Sequence, residues 1–400
     1  MRTNDLSAVV AGMVAVTVSY AGPLLVVLQA ASAAGLERGQ IASWIWAISI
    51  GSGVSAIALS IRFRTPVITA WSTPGAALLV AALPGYGWGE AIGAFLVAAL
   101  LLTGLGLSGL FDRVAALVPR SIAAALLAGI LFRFGARLFE SFTADPALVG
   151  AMFAVWLAAR RFAPRWAVAL VLIAGTAFAT ATGAMRFEGL ALEVAVPVWT
   201  APQFTLSAVI GLGLPLALVS LTGQFVPGVA VMRAFGYGAP AGPMVWVTSA
   251  LAAVLAPFGA HGVNLAAITA AICSGPEAHP DAGRRWIAGV ALGVFYIVVG
   301  TFGATLAALF AALPAALVAT VAGLALLGAI IAGLVGALAE ERDRDAAAIT
   351  FLVSASGVSF LGLGSAFWGL AIGLLAAFAL GSLGRGAAAA REAVPSRAGR

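Results

Sequence analysis

Arg64-Thr65-Pro66-Val67-Ile68-Thr69-Ala70-Trp71-Ser72-Thr73-Pro74-Gly75-Ala76-Ala77-Leu78-Leu79 lies inside a strongly apolar chain, yet it is too short and too broken for an ordinary spanning helix. Pro66 to Thr69 reads as extended or irregular backbone. Thr73 then offers an N-cap oxygen, Pro74 suits the first helical position, and an apolar run continues to about Leu83. The pattern predicts a half-helix whose first N–H groups point into the membrane interior. Irregular backbone is tolerated at that depth only where it is buried in protein or lines a cavity. Taken alone, the stretch is also compatible with a proline kink in a continuous helix.

A second copy argues against the kink. Pro257-Phe258-Gly259-Ala260-His261-Gly262-Val263-Asn264-Leu265-Ala266-Ala267 begins 191 positions after Pro66 and again sets a proline seven residues before an N-cap type residue, Asn264. An apolar run follows to Ile272. Paired interruptions at matching places in two halves point to a transporter's binding site.

Working outward, the 400 residues are 62% hydrophobic and 9% charged, which excludes a soluble domain and predicts a polytopic membrane protein. The net charge of +6 would fit a nucleic-acid binder, but the chain has no Lys and no basic helix face. Its arginines fall between apolar segments. Cys273 is the only cysteine, so an intramolecular disulfide and a cysteine metal cluster are both excluded. The N-terminus reads as a first transmembrane helix and not as a cleaved signal.

Apolar runs near 20 residues predict spans at 7–30, 40–61, 66–83, 89–110, 119–139, 146–160 and 165–184. A second set falls at 205–227, 241–256, 257–274, 285–312, 314–338, 346–361 and 364–384. Pro23 and Pro215 lie 192 apart, and Pro119 and Pro314 lie 195 apart. Together with Pro66 and Pro257 they argue for an internal repeat. The fold class expected is therefore an all-α polytopic membrane protein of 14 segments, a 7+7 inverted repeat, because an odd count forces the second copy to enter upside down. Arginine placement sets both termini in the cytoplasm. Arg62, Arg64, Arg113, Arg120, Arg160, Arg161, Arg233, Arg284 and Arg285 then lie inside, against Arg38, Arg133, Arg137 and Arg186 outside.

Two facing helix N-termini, each worth about half a positive charge, offset roughly one anionic charge. Ser72, Thr73, Asn264 and the backbone amides of Gly75 and Gly262 are the candidates to hydrogen-bond a carboxylate-sized anion there. His261 is the most central titratable group and so the proton-coupling candidate, against a structural histidine bonded to a backbone carbonyl. Gln224 is a polar interruption late in its span, able to contact substrate or to bridge helices. Tyr20 and Gln29 are weaker candidates, and Tyr20 also fits a membrane-interface role. Arg133 reads as snorkelling to the interface. Glu277-Ala278-His279-Pro280-Asp281 resembles a metal cluster only superficially and is read as a cytoplasmic turn, so no metal or cofactor is expected.

Pro66 to Gly75 resembles the first broken-helix motif of the benzoate:proton symporter (BenE) family of bacterial inner-membrane proteins. Gln224-Phe225-Val226-Pro227-Gly228-Val229-Ala230-Val231, with Arg233 and Gly236-Tyr237, resembles that family's eighth-span motif. His261 to Cys273, with Gly275 to Asp281, resembles the tenth. The resemblance implies a fold similar to uracil permeases and sulfate-type anion transporters, with two short strands leading into half-helices 3 and 10. It implies a core domain of residues 1–112 and 201–312, a gate domain of 113–200 and 313–384, and a cytoplasmic tail at 385–400. It also implies benzoate or a related aromatic carboxylate as substrate, carried with a proton, and dimerisation through the gate as an expectation. Phe225 and Trp71 become candidates for a ring pocket. Nucleobase permeases use glutamates in spans 8 and 10, where this chain has Gln224, His261 and Asn264. Their absence fits an anionic substrate and leaves the proton-binding residue open. A nucleobase or inorganic-anion permease on the same fold is the alternative, and a passive anion channel another. With no paired membrane aspartates, no His-Glu-x-x-His motif and no Ser/His dyad, an intramembrane enzyme is not expected.

Overall fold

The computed structural model describes residues 3–117, 119–185, 191–266, 268–358, 360–361 and 365–380. The expected tail at 385–400, together with Arg186 and Ala267, lies outside the described residues. The architecture is a mostly helical membrane fold with a single two-stranded ribbon among the described residues. Eight helical stretches there are long and apolar enough to cross a bilayer.

The first half runs α1 (Thr3–Ala21), α2 (Pro23–Ala33), α3 (Arg38–Phe63), β1 (Thr69–Trp71), α4 (Thr73–Ala82), α5 (Trp88–Leu107), a short α6 (Phe111–Leu117), α7 (Arg120–Ala144), α8 (Pro146–Phe162) and α9 (Ala167–Ala181). The second runs α10 (Leu206–Ala208), α11 (Leu214–Ser220), α12 (Val226–Ala234), α13 (Ala241–Leu255), β2 (Val263–Leu265), α14 (Ile268–Ser274), α15 (Trp286–Thr301), α16 (Gly303–Ala311), α17 (Ala315–Leu338), α18 (Arg344–Ser356) and α19 (Ser365–Ala379).

Several boundaries depart from the sequence reading. The expected spans 7–30 and 285–312 are each divided, at Gly22 and at Phe302, and α6 has no counterpart in that reading. The span expected at 205–227 continues to Ala234 as one rod, in which α10, α11 and α12 are joined by π-helical turns at Val209–Gly213 and Leu221–Phe225. The cause is local. Pro215 and Pro227 cannot donate to the carbonyls of Gly211 and Gly223, four residues earlier, and each π turn contains one of those positions. Widening by one residue relieves the ring clash without breaking the rod.

The most extensive helix contacts are α7 with α17, α3 with α15 and α5 with α13. Small residues make them possible, since association in lipid depends on close backbone approach. At the α3–α15 crossing, a Cβ on Gly53 would sit 2.6 Å from the Gly293 carbonyl oxygen, and one on Gly293 would sit 2.5 Å from that of Gly53. The inner face of α3 carries Ser49, Ser52, Ser55 and Ser60, all buried. Ser49 and Ser55 donate back to the carbonyls of Ile45 and Gly51, which satisfies their hydroxyls inside the bundle. Pro119 and Pro314 occupy equivalent positions as N-caps of α7 and α17, with φ of −58° and −59°. The chain leaves α3 through Arg64 in the left-handed region, φ 52°, with its guanidinium over the Trp286 ring at 4.6 Å.

Candidate functional site

The two interrupted segments meet. β1 and β2 pair antiparallel with Thr69 opposite Leu265, Ala70 opposite Asn264 and Trp71 opposite Val263. The Ala266 amide extends the ladder by donating to the Ile68 carbonyl at 2.9 Å. Because side chains alternate along a strand, Ala70 and Asn264 share one face, while Thr69, Trp71, Val263 and Leu265 share the other. Thr69 Oγ1 on that second face donates to the Ser52 carbonyl and accepts from Ser55, which pins the ribbon to α3.

α4 leaves the ribbon at once. Its N-cap is Ser72, not the expected Thr73: Ser72 Oγ accepts the Gly75 amide at 3.0 Å. Pro74 therefore sits in the second helical position, with Thr73 in the first. The same contact removes the Gly75 amide from the donors expected to face an anion. A side chain at 75 is also barred, because a Cβ there would lie 2.7 Å from Leu216 Cδ1 and from Ser72 Oγ. Ser72→Ala should lower stability by about 1 kcal/mol through loss of the cap, whereas Thr73→Ala should leave it nearly unchanged. Thermal unfolding of the two variants side by side checks this; equal shifts would remove Ser72 from the cap.

The second segment also differs from expectation. Asn264 is the middle residue of β2, and α14 begins at Ile268, so Asn264 is not a helix cap. Gly262 likewise precedes the strand and does not open a helix. Asn264 is 1% exposed, and its Nδ2 has no hydrogen-bond partner. Near it a Cβ on Gly262 would meet Asn264 Nδ2 at 3.2 Å, Ser72 Cβ at 3.6 Å and Ser220 Oγ at 3.8 Å. Gly262, Asn264, Ser72 and Ser220 thus form one polar cluster at the start of α4. Ser220, which the sequence reading did not single out, faces Ser72 Oγ at 3.5 Å. Thr73, Ala70 and Gly262 keep partial exposure, so the cluster is not sealed.

His261 is buried beside this cluster with both ring nitrogens engaged. Trp44 Nε1 donates to Nδ1 at 3.0 Å, and Nε2 lies 3.0 Å from the Ser72 carbonyl. An indole N–H can only donate and a carbonyl can only accept, so the ring is the neutral Nε2–H tautomer. That arrangement corrects the expectation of His261 as the proton-binding group in this conformation, because a second proton at Nδ1 would point at the Trp44 N–H.

The aromatic candidates separate. Trp71 is buried on the ribbon face opposite Asn264, 5.3 Å from the Tyr20 ring and 5.5 Å from Tyr296, and its Nε1 has no partner. Tyr20 is half-buried, with its hydroxyl 2.6 Å from Ser49 Oγ. Phe225 packs elsewhere, with Val67, Leu221, Val229 and Met232, so it does not join Trp71 in a common ring pocket. Gln224 is half-buried within its π turn, and the neighbouring Gly223 faces Pro74. Two cavities of about 510 Å³ lie away from this cluster. One is lined by an exposed Asp112–Arg233 pair and Trp246, and the other by apolar residues of α18 and α19.

The 277–281 turn is more than a solvated loop. His279 is buried, with Nε2 3.5 Å from Asp5 on α1, and Arg284 reaches the other Asp5 oxygen at 2.9 Å. Arg285, also buried, donates from Nε to the His279 carbonyl at 2.7 Å and from Nη1 to the Ser274 carbonyl at 2.9 Å. A cation at the C-terminal end of α14 suits the helix dipole.

Comparison with known proteins fits this geometry. A curated benzoate membrane transport protein of Acinetobacter baylyi is 47% identical over 377 residues, covering 94% of this chain and 95% of its own. Inner membrane protein YdcO of Escherichia coli K12 is 45% identical over 363 residues, covering 91% of this chain and 93% of its own. Among solved structures, the transmembrane domain of the cyanobacterial bicarbonate transporter BicA superposes with a TM-score of 0.60 at 16% identity, covering 96% of this chain and 98% of that one. SLC26A9 gives 0.62 at 13% identity, covering 94% and 65% respectively. These likenesses show the fold alone. The model of the family described as benzoate membrane transport protein matches residues 2–379, and with the two curated relatives it shows that the chain belongs to that family of membrane transport proteins.

Proposed function

We propose that the protein carries benzoate or a related aromatic carboxylate across the bacterial inner membrane, with a proton, by alternating access. The observation that carries this reading is the unpartnered Asn264 Nδ2, buried beside Gly262 and the start of α4. A buried donor without an acceptor is costly, and a carboxylate oxygen would satisfy it. Thr73 and the α4 N-terminus add positive potential on the same side. The ring would lie toward half-buried Tyr20, which Trp71 and Tyr296 support from behind, with Gln224 at the rim.

The reading includes a 7+7 inverted repeat with both termini cytoplasmic. The α3–α15 and α5–α13 contacts support it, because each joins the second span of one half to the fourth span of the other. Residues 1–112 and 201–312 would then form a core that moves substrate past a gate of 113–200 and 313–384, the gate also serving as the surface for a homodimer. One proton per carboxylate makes each cycle electroneutral.

Uptake of radiolabelled benzoate into proteoliposomes, with and without an inward proton gradient, tests this directly. Saturable uptake raised by the gradient and competed by substituted benzoates, but not by uracil or sulfate, is expected. Flux that neither saturates nor follows the gradient would replace the symporter with a passive channel.

A further inference from the structure

We infer that Trp44 is a positioning residue that fixes His261 as a neutral brace between the two interrupted segments. The inference deepens the proposed transport reading and rests on it for its effect on uptake, though its tautomer test does not. The two residues lie 217 positions apart, and both are buried, Trp44 at 0% and His261 at 2% exposure.

The geometry leaves the imidazole one role. Trp44 fills Nδ1 with a donor, so Nε2 keeps its hydrogen and holds the carbonyl of Ser72. That carbonyl also accepts the Ala76 amide at 2.8 Å, in the first turn of α4. His261 therefore ties the segment entering β2 to the N-terminus of the half-helix that follows β1. Trp44 is itself wedged. Its ring lies 5.2 Å from Trp88, 6.1 Å from Phe95 and 5.6 Å from the His261 ring. Phe95 also packs on His261 at 6.3 Å. The groups facing the imidazole are thus Trp44 from α3, Phe95 from α5 and the Ser72 carbonyl, none of them charged. Nothing among them would stabilise an imidazolium, and Trp44 directs a donor at the nitrogen that would take the proton. The tautomer is selected by a single side chain.

The chain has only two histidines, which makes the test clean. Nitrogen-15 NMR of histidine-labelled protein should show His261 with one protonated and one bare nitrogen, unchanged between about pH 5 and 8. His261→Gln removes those signals and leaves His279 alone, which assigns them. In Trp44→Phe the bare nitrogen loses its donor, so the signals should shift toward a tautomer mixture and begin to move with pH. The benzoate KM should rise by up to about tenfold, as for the loss of one buried hydrogen bond. His261→Gln keeps an acceptor and a donor at comparable separation and should retain gradient-driven uptake. A wild-type imidazole that titrates in that range would overturn the inference, even if Trp44→Phe failed to fold. So would a Trp44→Phe spectrum identical to wild type, or a His261→Gln protein that binds benzoate normally but no longer responds to the gradient. Failure of benzoate uptake with the tautomer result intact would count against the substrate and not against Trp44.

Discussion

Gly53→Val is expected to lose most folded, transport-competent protein, while Gly328→Val behaves like wild type. At Gly53 a Cβ would lie 2.6 Å from the Gly293 carbonyl oxygen and 2.7 Å from Ile297 Cγ1. The first of these is backbone, so relief requires α3 and α15 to move apart. Their contact is among the most extensive in the molecule, and α3 also anchors the ribbon through Ser52 and Ser55. Overpacking costs typically about 1–3 kcal/mol, and a rigid crossing places this site at the upper end. A Cβ at Gly328, on α17, meets nothing within 4 Å. Thermal unfolding in detergent and benzoate uptake should separate the two variants clearly. Equal behaviour would show that the α3–α15 crossing has slack that the geometry does not suggest.

Asn264→Leu should act with opposite signs on stability and on binding. The native amide leaves Nδ2 buried without a partner, so replacing it with an apolar side chain of similar size should leave the melting temperature unchanged or raised. A carboxylate that relied on that N–H would lose a charge-assisted hydrogen bond of about 1.5–3 kcal/mol, roughly a 10- to 150-fold fall in affinity. Calorimetric titration with benzoate alongside thermal unfolding reads both quantities. Wild-type affinity in a stable Asn264→Leu protein would remove this residue from the site. The combination of stable fold and weak binding is what distinguishes a ligand contact from a structural one.

How much of this was legible in the sequence depends on the range of the interaction. Pro66 and Pro257 forbid regular helix locally, so both interruptions and their extended character could be read directly. The cap was misplaced by one residue, from Ser72 to Thr73, because both side chains can cap and only the backbone angles choose between them. Asn264 was read as a cap because its residue type suits one. The ladder to Ala70, 194 positions away in sequence, draws it into a strand instead. The His261 tautomer was out of reach, since Trp44 sits in an apolar run with no local sign of its partner. Arg284 and Arg285 were legible as positive-inside charges, but not as ties to Asp5 and to the end of α14. Ser220 and Tyr296 carried no signal beyond residue type.

The π turns in the α10–α12 rod have a consequence for anyone engineering or aligning this segment. Each holds one residue more than an α-helical path would need, so the rod can lose a residue there and still be a rod. Deleting one position from Leu221–Phe225 would turn everything downstream by about 100° and draw it back by about 1.5 Å. Gly228, where a Cβ would sit 2.6 Å from Leu265 Cβ, would swing away and present a bulkier neighbour to β2. A one-residue gap at this point in a sequence comparison therefore marks a change of facing, not a shortened loop.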